Sequence, residues 1–209
     1  DPYCKNNIPQ LRKLIAKARN FNEEDKQIVL TQQIEVLKEI LPVYKEFQDR
    51  GQIEVTTTPY YHPISPLLYD SNIAKEANRF TSLPEIRFSY PDDLVSHIKQ
   101  AVELYKNVFG KPPDGMWPSE ESVSEHILPF IMESGIKWII TDEEILTRSI
   151  KKKRTSRILY KPYSLKREQG DLSVLFRDRN LSDLIGFVYH GLTEQAGVAD
   201  FIGHMPNIA

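Results

Sequence analysis

The stretch Gly135-Ile136-Lys137-Trp138-Ile139-Ile140-Thr141-Asp142 decides the fold class. A short apolar run entered from glycine and left at an acidic residue predicts a strand buried on both faces, the habit of a parallel sheet covered by helices. Immediately upstream, Ser122 followed by Glu125 at the capping-box spacing predicts a helix that closes at Gly135. Further back, Pro112, Pro113 and Gly115 form a turn before a short strand at Met116 and Trp117. Leu94, Ile98, Ala101, Tyr105 and Val108 share one face of a helix over 94–109, stopped by Gly110.

Working outward, the β-branched run over 53–58, bounded by Gly51 and Pro59, predicts another strand. Leu30, Ile34, Leu37, Leu41 and Tyr44 step by four and three along a helix over 22–49, with Asn22 and Asp25 as its cap. Pro42 should kink or divide that helix, because it has no amide proton and crowds the preceding turn. A shorter helix with Leu11, Leu14 and Ile15 precedes it. Towards the C-terminus, strands are predicted at 158–160 and 173–176 and helices over 181–189 and 192–202. Strands alternating with helices give an α/β chain with a mainly parallel sheet, read as a single fragment over 1–209.

Composition narrows the functional classes. The 209 residues are 40% hydrophobic, with ten Tyr, nine Phe and two Trp, so a sizeable core is within reach. A formal net charge of −2 recruits neither nucleic acid nor anionic lipid. The basic stretch over 151–157 lacks interleaved aromatics and reads as a solvated loop. A single cysteine, Cys4, excludes an internal disulfide and a CxxC site. The five histidines, His62, His97, His126, His190 and His204, include no pair at i,i+4, so no HExxH-type metal site is expected. Dinucleotide, P-loop and nucleophile-elbow motifs are absent, and no cofactor is expected. No apolar window is long enough to span a membrane, so a soluble protein is expected, with a cytoplasmic place slightly favoured. The start at Asp1 suggests excision from something longer, so that a secretion signal, if there is one, could precede it.

In α/β folds ligands gather beyond the carboxyl ends of strands. Three segments place chemistry there. In Gln52-Ile53-Glu54-Val55-Thr56-Thr57-Thr58-Pro59-Tyr60-Tyr61-His62-Pro63, alternation would set Gln52, Glu54, Thr56 and Thr58 on one side as a hydrogen-bonding wall for a hydroxyl-rich ligand, with His62 at the exit. The alternative is a salt-bridged Glu54 and a His62 that caps a turn. In Gly115-Met116-Trp117-Pro118-Ser119-Glu120-Glu121-Ser122, Glu120 follows a strand near amide donors that favour its ionised form, and Trp117 offers a flat apolar face to a sugar ring. Glu121 reads as an ordinary first-turn helix residue. In Leu175-Phe176-Arg177-Asp178-Arg179-Asn180-Leu181-Ser182-Asp183, Arg177 and Asp178 would bind substrate or orient a carboxylate, or Asp178 or Asp183 would cap a helix.

Taken together, these blocks resemble glycoside hydrolase family 57, the alpha-glucan-active group of amylases, amylopullulanases, branching enzymes and 4-alpha-glucanotransferases. The likeness is carried by Gln52-Ile53-Glu54 to His62-Pro63, by Gly115-Met116-Trp117 to Glu120, by Phe176-Arg177-Asp178, and by Leu181-Ser182-Asp183-Leu184-Ile185-Gly186-Phe187. It is nearest to the amylopullulanase-like branch. The resemblance implies a seven-stranded (β/α) barrel of which this chain supplies a middle portion, incomplete at both ends. It implies Glu120 as catalytic nucleophile, Glu54, His62, Trp117, Arg177 and Asp178 as substrate-side residues, and no metal. The family's early histidine motif is expected before residue 1 and its acid/base aspartate after residue 209.

The activity so implied is retaining hydrolysis of an alpha-glucan or maltooligosaccharide, completed by the rest of the parent catalytic domain. Transfer or branching chemistry of the same family is one alternative. A noncatalytic glucan-binding module is another, and a metal-dependent carbohydrate deacetylase using His62 is a third.

Overall fold

A computed structural model describes residues 2–208. The chain divides into two compact units, Asp1–Val55 and Thr56–Ala209.

The first unit is helical. Its elements are α1 (Pro2–Asn7), α2 (Pro9–Lys17) and α3 (Glu23–Asp49). The Asn22 side chain accepts the Asp25 amide at 2.9 Å and the Asp25 carboxylate accepts the Asn22 amide at 2.8 Å, so the capping box closes with aspartate in place of glutamate. Lys17 pairs with the same carboxylate. The helix continues through Pro42 without dividing. The predicted stripe Leu30, Ile34, Leu37, Leu41 and Tyr44 is present on it but exposed. Residues 53–55 run on from this helix as loop and form no strand.

The second unit holds the sheet. In chain order it contains α4 (Ser65–Tyr69), α5 (Ala74–Ala77), α6 (Pro91–Phe109), β1 (Gly115–Met116), a 3-10 turn Ser119–Glu121, α7 (Leu128–Glu133), β2 (Trp138–Asp142) and α8 (Glu143–Ile150). There follow α9 (Ser156–Leu159), β3 (Tyr163–Arg167), β4 (Gly170–Arg177), α10 (Arg179–Asp183), a π-helical segment Leu184–Val188 and α11 (Glu194–His204). The strands lie in the order β1-β2-β4-β3, parallel from β1 through β4, with β3 antiparallel at the edge. This is an α/β fold with a small mixed sheet and surrounding helices. Among the described residues no helix is long and apolar enough to cross a membrane.

Leu94 and Ile98 of α6, Met116, Ile127, Ile131, Ile139, Leu172 and Val174 form the core. Each such fully buried side chain stabilises the fold by about 1.5–3 kcal/mol. Gly110 ends α6 in the left-handed conformation, with φ 79°, as its position after the apolar face requires. In β2, Ile139 and Thr141 are buried while Trp138, Ile140 and Asp142 are half-buried, so the strand is less completely enclosed than its sequence suggests. At Gly115 a side chain is excluded by space, because an added Cβ would fall within the Trp138 indole.

Four predicted elements differ. The strand expected over 53–58 reduces to a single parallel bridge, Thr57 to Met116. Pro59 and Pro118 follow the two bridging residues closely and have no amide donors to extend a ladder. The helix expected from Ser122 begins only at Leu128, since Pro129 is tolerated in a first turn and not further in. Residues 158–160 belong to the helix α9 and its end, and the strand lies at β3, paired with β4 across a two-residue turn. The helix expected over 181–189 starts earlier, at Arg179, and widens into the π segment.

Candidate functional site

Two short chain segments leave the β1 end of the sheet side by side. The Thr57 amide donates to the Gly115 carbonyl at 3.1 Å and the Trp117 amide to the Thr57 carbonyl at 2.8 Å. Beyond this bridge both chains turn sharply, and both do so through consecutive non-glycine residues in the left-handed region. Tyr61 and His62 have φ of 58° and 55°, and Glu120 and Glu121 have φ of 51° and 57°. Each such residue costs on the order of 1–3 kcal/mol and persists only where its surroundings enforce it.

The enforcement is visible on both sides. The Tyr60 amide donates to the His97 carbonyl of α6 at 3.1 Å, the His97 ring contacts the Tyr60 carbonyl, and the His62 amide donates to the Pro59 carbonyl at 2.9 Å. On the other turn the Glu121 amide donates to the Pro118 carbonyl at 2.8 Å, and the buried Thr141 hydroxyl of β2 donates to the Glu121 carbonyl at 2.6 Å. His62 Nε2 thereby lies 3.2 Å from Glu120 Oε1, with Thr58 Oγ1 3.5 Å from His62 Nδ1. When Nε2 carries the proton, it donates to the carboxylate, and Nδ1 is left to accept from Thr58. Glu120 and His62 are both open to solvent, as are Tyr61 and Trp117.

Behind the Glu120 turn lies a layer of charge. Glu121 is buried, and Arg177, the last residue of β4, sets its Nε 2.9 Å from Glu121 Oε1. That Nε makes no aligned hydrogen bond, so the contact is one of charge pairing. Arg177 also lies 3.6 Å from Asp142, with which it is in register across the sheet, and 3.8 Å from Asp183. Burial pushes the Glu121 carboxyl up; Arg177 and Arg179 oppose this, while Asp142 and Glu120 add to it. Burial also acts upward on Asp142, but Arg179, the Glu144 amide and Arg177 hold that carboxyl below its ordinary value.

The expected residues thus fall into three groups. Glu120 and His62 are brought into contact, with Trp117 three residues before Glu120 on the same exit. Arg177 and Asp178 face protein partners: Asp178 caps α10 by accepting the Leu181 amide at 3.0 Å, and it also binds the Tyr160 hydroxyl and, at 2.7 Å, Arg154. Arg154 therefore leaves the otherwise exposed 151–157 stretch to pair with Glu143 and Asp178. Glu54 belongs to the first unit, where it is exposed in the loop after α3. Two residues assigned no part in the site from sequence belong to its support: Glu121, read as an ordinary first-turn helix residue, is buried in a left-handed turn, and His97 holds the Tyr60 carbonyl. For His97 the signal was its place beside Leu94 and Ala101 on the buried face of α6, where an imidazole needs a partner.

A sheet that is parallel from β1 through β4, and whose strand exits gather carboxylates, an imidazole and exposed aromatic rings, is the layout of α/β enzymes that build their sites at strand ends. The chain belongs to glycosyl hydrolase family 57, whose model matches residues 13–209. Over 99 residues it is 28% identical to Alpha-amylase 1 of Dictyoglomus thermophilum, covering 47% of this chain and 11% of that protein. Its fold is similar to a branching enzyme of Thermococcus kodakaraensis, with TM-score 0.55, 19% identity, and 90% of this chain against 37% of that one. An alpha-amylase of Thermotoga maritima gives TM-score 0.54 and 18% identity over 88% of this chain and 30% of that one. A 4-alpha-glucanotransferase of Thermococcus litoralis gives 0.52 and 18%, over 72% and 20%. The chain therefore spans well under half the length of each of these relatives.

Proposed function

We propose that this chain is the part of an alpha-glucan-hydrolysing catalytic domain that carries the nucleophile, Glu120. In this reading its sheet is a portion of a seven-stranded (β/α) barrel, incomplete at both ends, and residues 1–209 form one piece of that domain. The observation that supports it is the contact of Glu120 with His62 across two strained turns, with the carboxylate open to solvent. Strain retained at a pair of left-handed residues is a signature of sites whose geometry matters.

In the retaining reaction a Glu120 oxygen attacks the anomeric carbon of a bound glucosyl unit. The bond to the leaving oxygen breaks, and that oxygen takes a proton from the general acid, an aspartate supplied in this reading by the remainder of the catalytic domain. Water then attacks the same carbon, gives its proton to the same aspartate, and releases Glu120. His62 donates to the attacking carboxylate and holds its orientation, while Trp117 offers its ring face to the sugar. Arg177 and Asp178, at the end of β4, are bound to protein partners and act on the site through them. The partners are a maltooligosaccharide or alpha-glucan and the remainder of the catalytic domain.

The test uses the full-length protein that contains this chain, treated with a 2-deoxy-2-fluoro-glucosyl donor. The expected result is a mass increase on the peptide bearing Glu120, absent in Glu120→Gln. Labelling of a different carboxylate would overturn the assignment.

A further inference from the structure

We propose that Glu121 and Arg177 form a positioning pair that holds the Glu120 carboxylate at its site, so that the Arg177 charge serves the protein rather than the sugar. This rests on the reading of Glu120 as nucleophile and adds a mechanism for its placement.

Residues 120 and 121 are both left-handed, and their side chains part company: Glu120 is exposed and Glu121 is buried. A buried carboxylate is tolerated only where charge or hydrogen bonding compensates its lost hydration. Arg177 supplies that charge at 2.9 Å, from the last position of a strand paired in register with β2. The same β2 carries Thr141, whose hydroxyl fixes the Glu121 carbonyl at 2.6 Å. The backbone of Glu121 is thus held by one strand and its side chain by the next, which leaves little freedom for the peptide that joins it to Glu120. The neighbouring charges close the set: Asp142 and Asp183 lie 3.6 and 3.8 Å from Arg177, and Arg179 is held by Asp142 and Glu144. Surrounded by these carboxylates, Arg177 is already committed to protein partners.

The experiment measures kcat, KM and the pH dependence of kcat/KM on maltooligosaccharide for the full-length protein and its Glu121→Gln, Arg177→Met, Arg177→Lys and double Glu121→Gln/Arg177→Met variants, with Glu120→Gln as reference. Loss of positioning at the reacting centre is expected to lower kcat about 10- to 100-fold in Arg177→Met, with KM within about twofold. Arg177→Lys should recover part of the loss, and the double variant should be no worse than Arg177→Met, since the two partners act as a unit. Glu121→Gln leaves the Arg177 charge less balanced near Glu120, so the acid limb of kcat/KM moves to lower pH. If Arg177→Met melts below the assay temperature, the nearly isosteric Glu121→Gln carries the test alone. A raised KM at unchanged kcat in Arg177→Met would show Arg177 contacting sugar and overturn the pair. So would wild-type kcat, KM and acid limb in Glu121→Gln. An inactive Glu120→Gln beside unaltered pair variants removes the pair and leaves the nucleophile standing; an active Glu120→Gln removes both.

Discussion

His62 and Glu120, separated by 58 positions in the chain, meet imidazole to carboxylate at 3.2 Å, and each sits in a pair of consecutive left-handed residues. Neither turn is made by glycine. The contact is held from behind by α6, through His97, and by β2, through Thr141. It joins two segments that the sheet edge brings together by the Thr57 to Met116 bridge.

His62→Ala should therefore lower turnover of the full-length protein about tenfold or more, the effect of removing a hydrogen bond to a charged group. Asn accepts the left-handed conformation and carries an N–H donor, so His62→Asn should recover part of that loss. Steady-state kinetics decide this, and an unchanged kcat in His62→Ala would remove His62 from the mechanism.

Gly115→Ala should destabilise the second unit by about 1–3 kcal/mol, because the new methyl overlaps the Trp138 indole and the strand must shift to admit it. Urea unfolding followed by tryptophan fluorescence measures the change. A midpoint equal to that of the unsubstituted protein would contradict the close approach.

Asp178 governs part of the acid response. Burial alone would raise its carboxyl, but the Tyr160 hydroxyl, the Leu181 amide and the Arg154 guanidinium hold it below its ordinary value. A depressed folded-state pKa contributes stability above the unfolded value of about 3.9, and loses it as pH falls through the lower folded value. Asp178→Asn should thus be less stable at neutral pH and show a flatter decline in stability between about pH 5 and pH 2. Glu121 acts oppositely: its raised pKa favours the fold below the unfolded value, and that contribution fades as pH rises through the folded value. Melting temperatures across pH for Asp178→Asn and Glu121→Gln check the two signs.

Asn22→Ala should destabilise α3 by about 1 kcal/mol, because it removes the acceptor for the Asp25 amide. Asn22→Asp should retain most of that stability. Thermal unfolding monitored by circular dichroism separates the two, and equal losses would rule out the cap as the source.

Much of the architecture was legible in local pattern. The α6 helix, its glycine stop, β2 and the C-terminal part of β4 all announce themselves through periodicity and punctuation, since each is decided by which side chains must leave water. At 158–160 local pattern misleads, because three apolar and aromatic residues in a row suit a helix turn as well as a strand, and only pairing with β4 shows that the edge strand is β3. The strand expected over 53–58 has the right residues, but Pro59 and Pro118 deny it a ladder.

The amino-acid order alone determined that Glu120 follows a strand, that a tryptophan precedes it, and that His62 stands at the exit of a second segment, because strand and turn chemistry act over a few residues. Only the tertiary structure decided that His62 reaches Glu120, that Glu121 turns inward to Arg177, and that Asp178 is spent on a helix cap, Tyr160 and Arg154. These are pairings between distant segments. Left-handed backbone at non-glycine residues and the burial of one of two adjacent glutamates are imposed by long-range packing, which no local preference encodes.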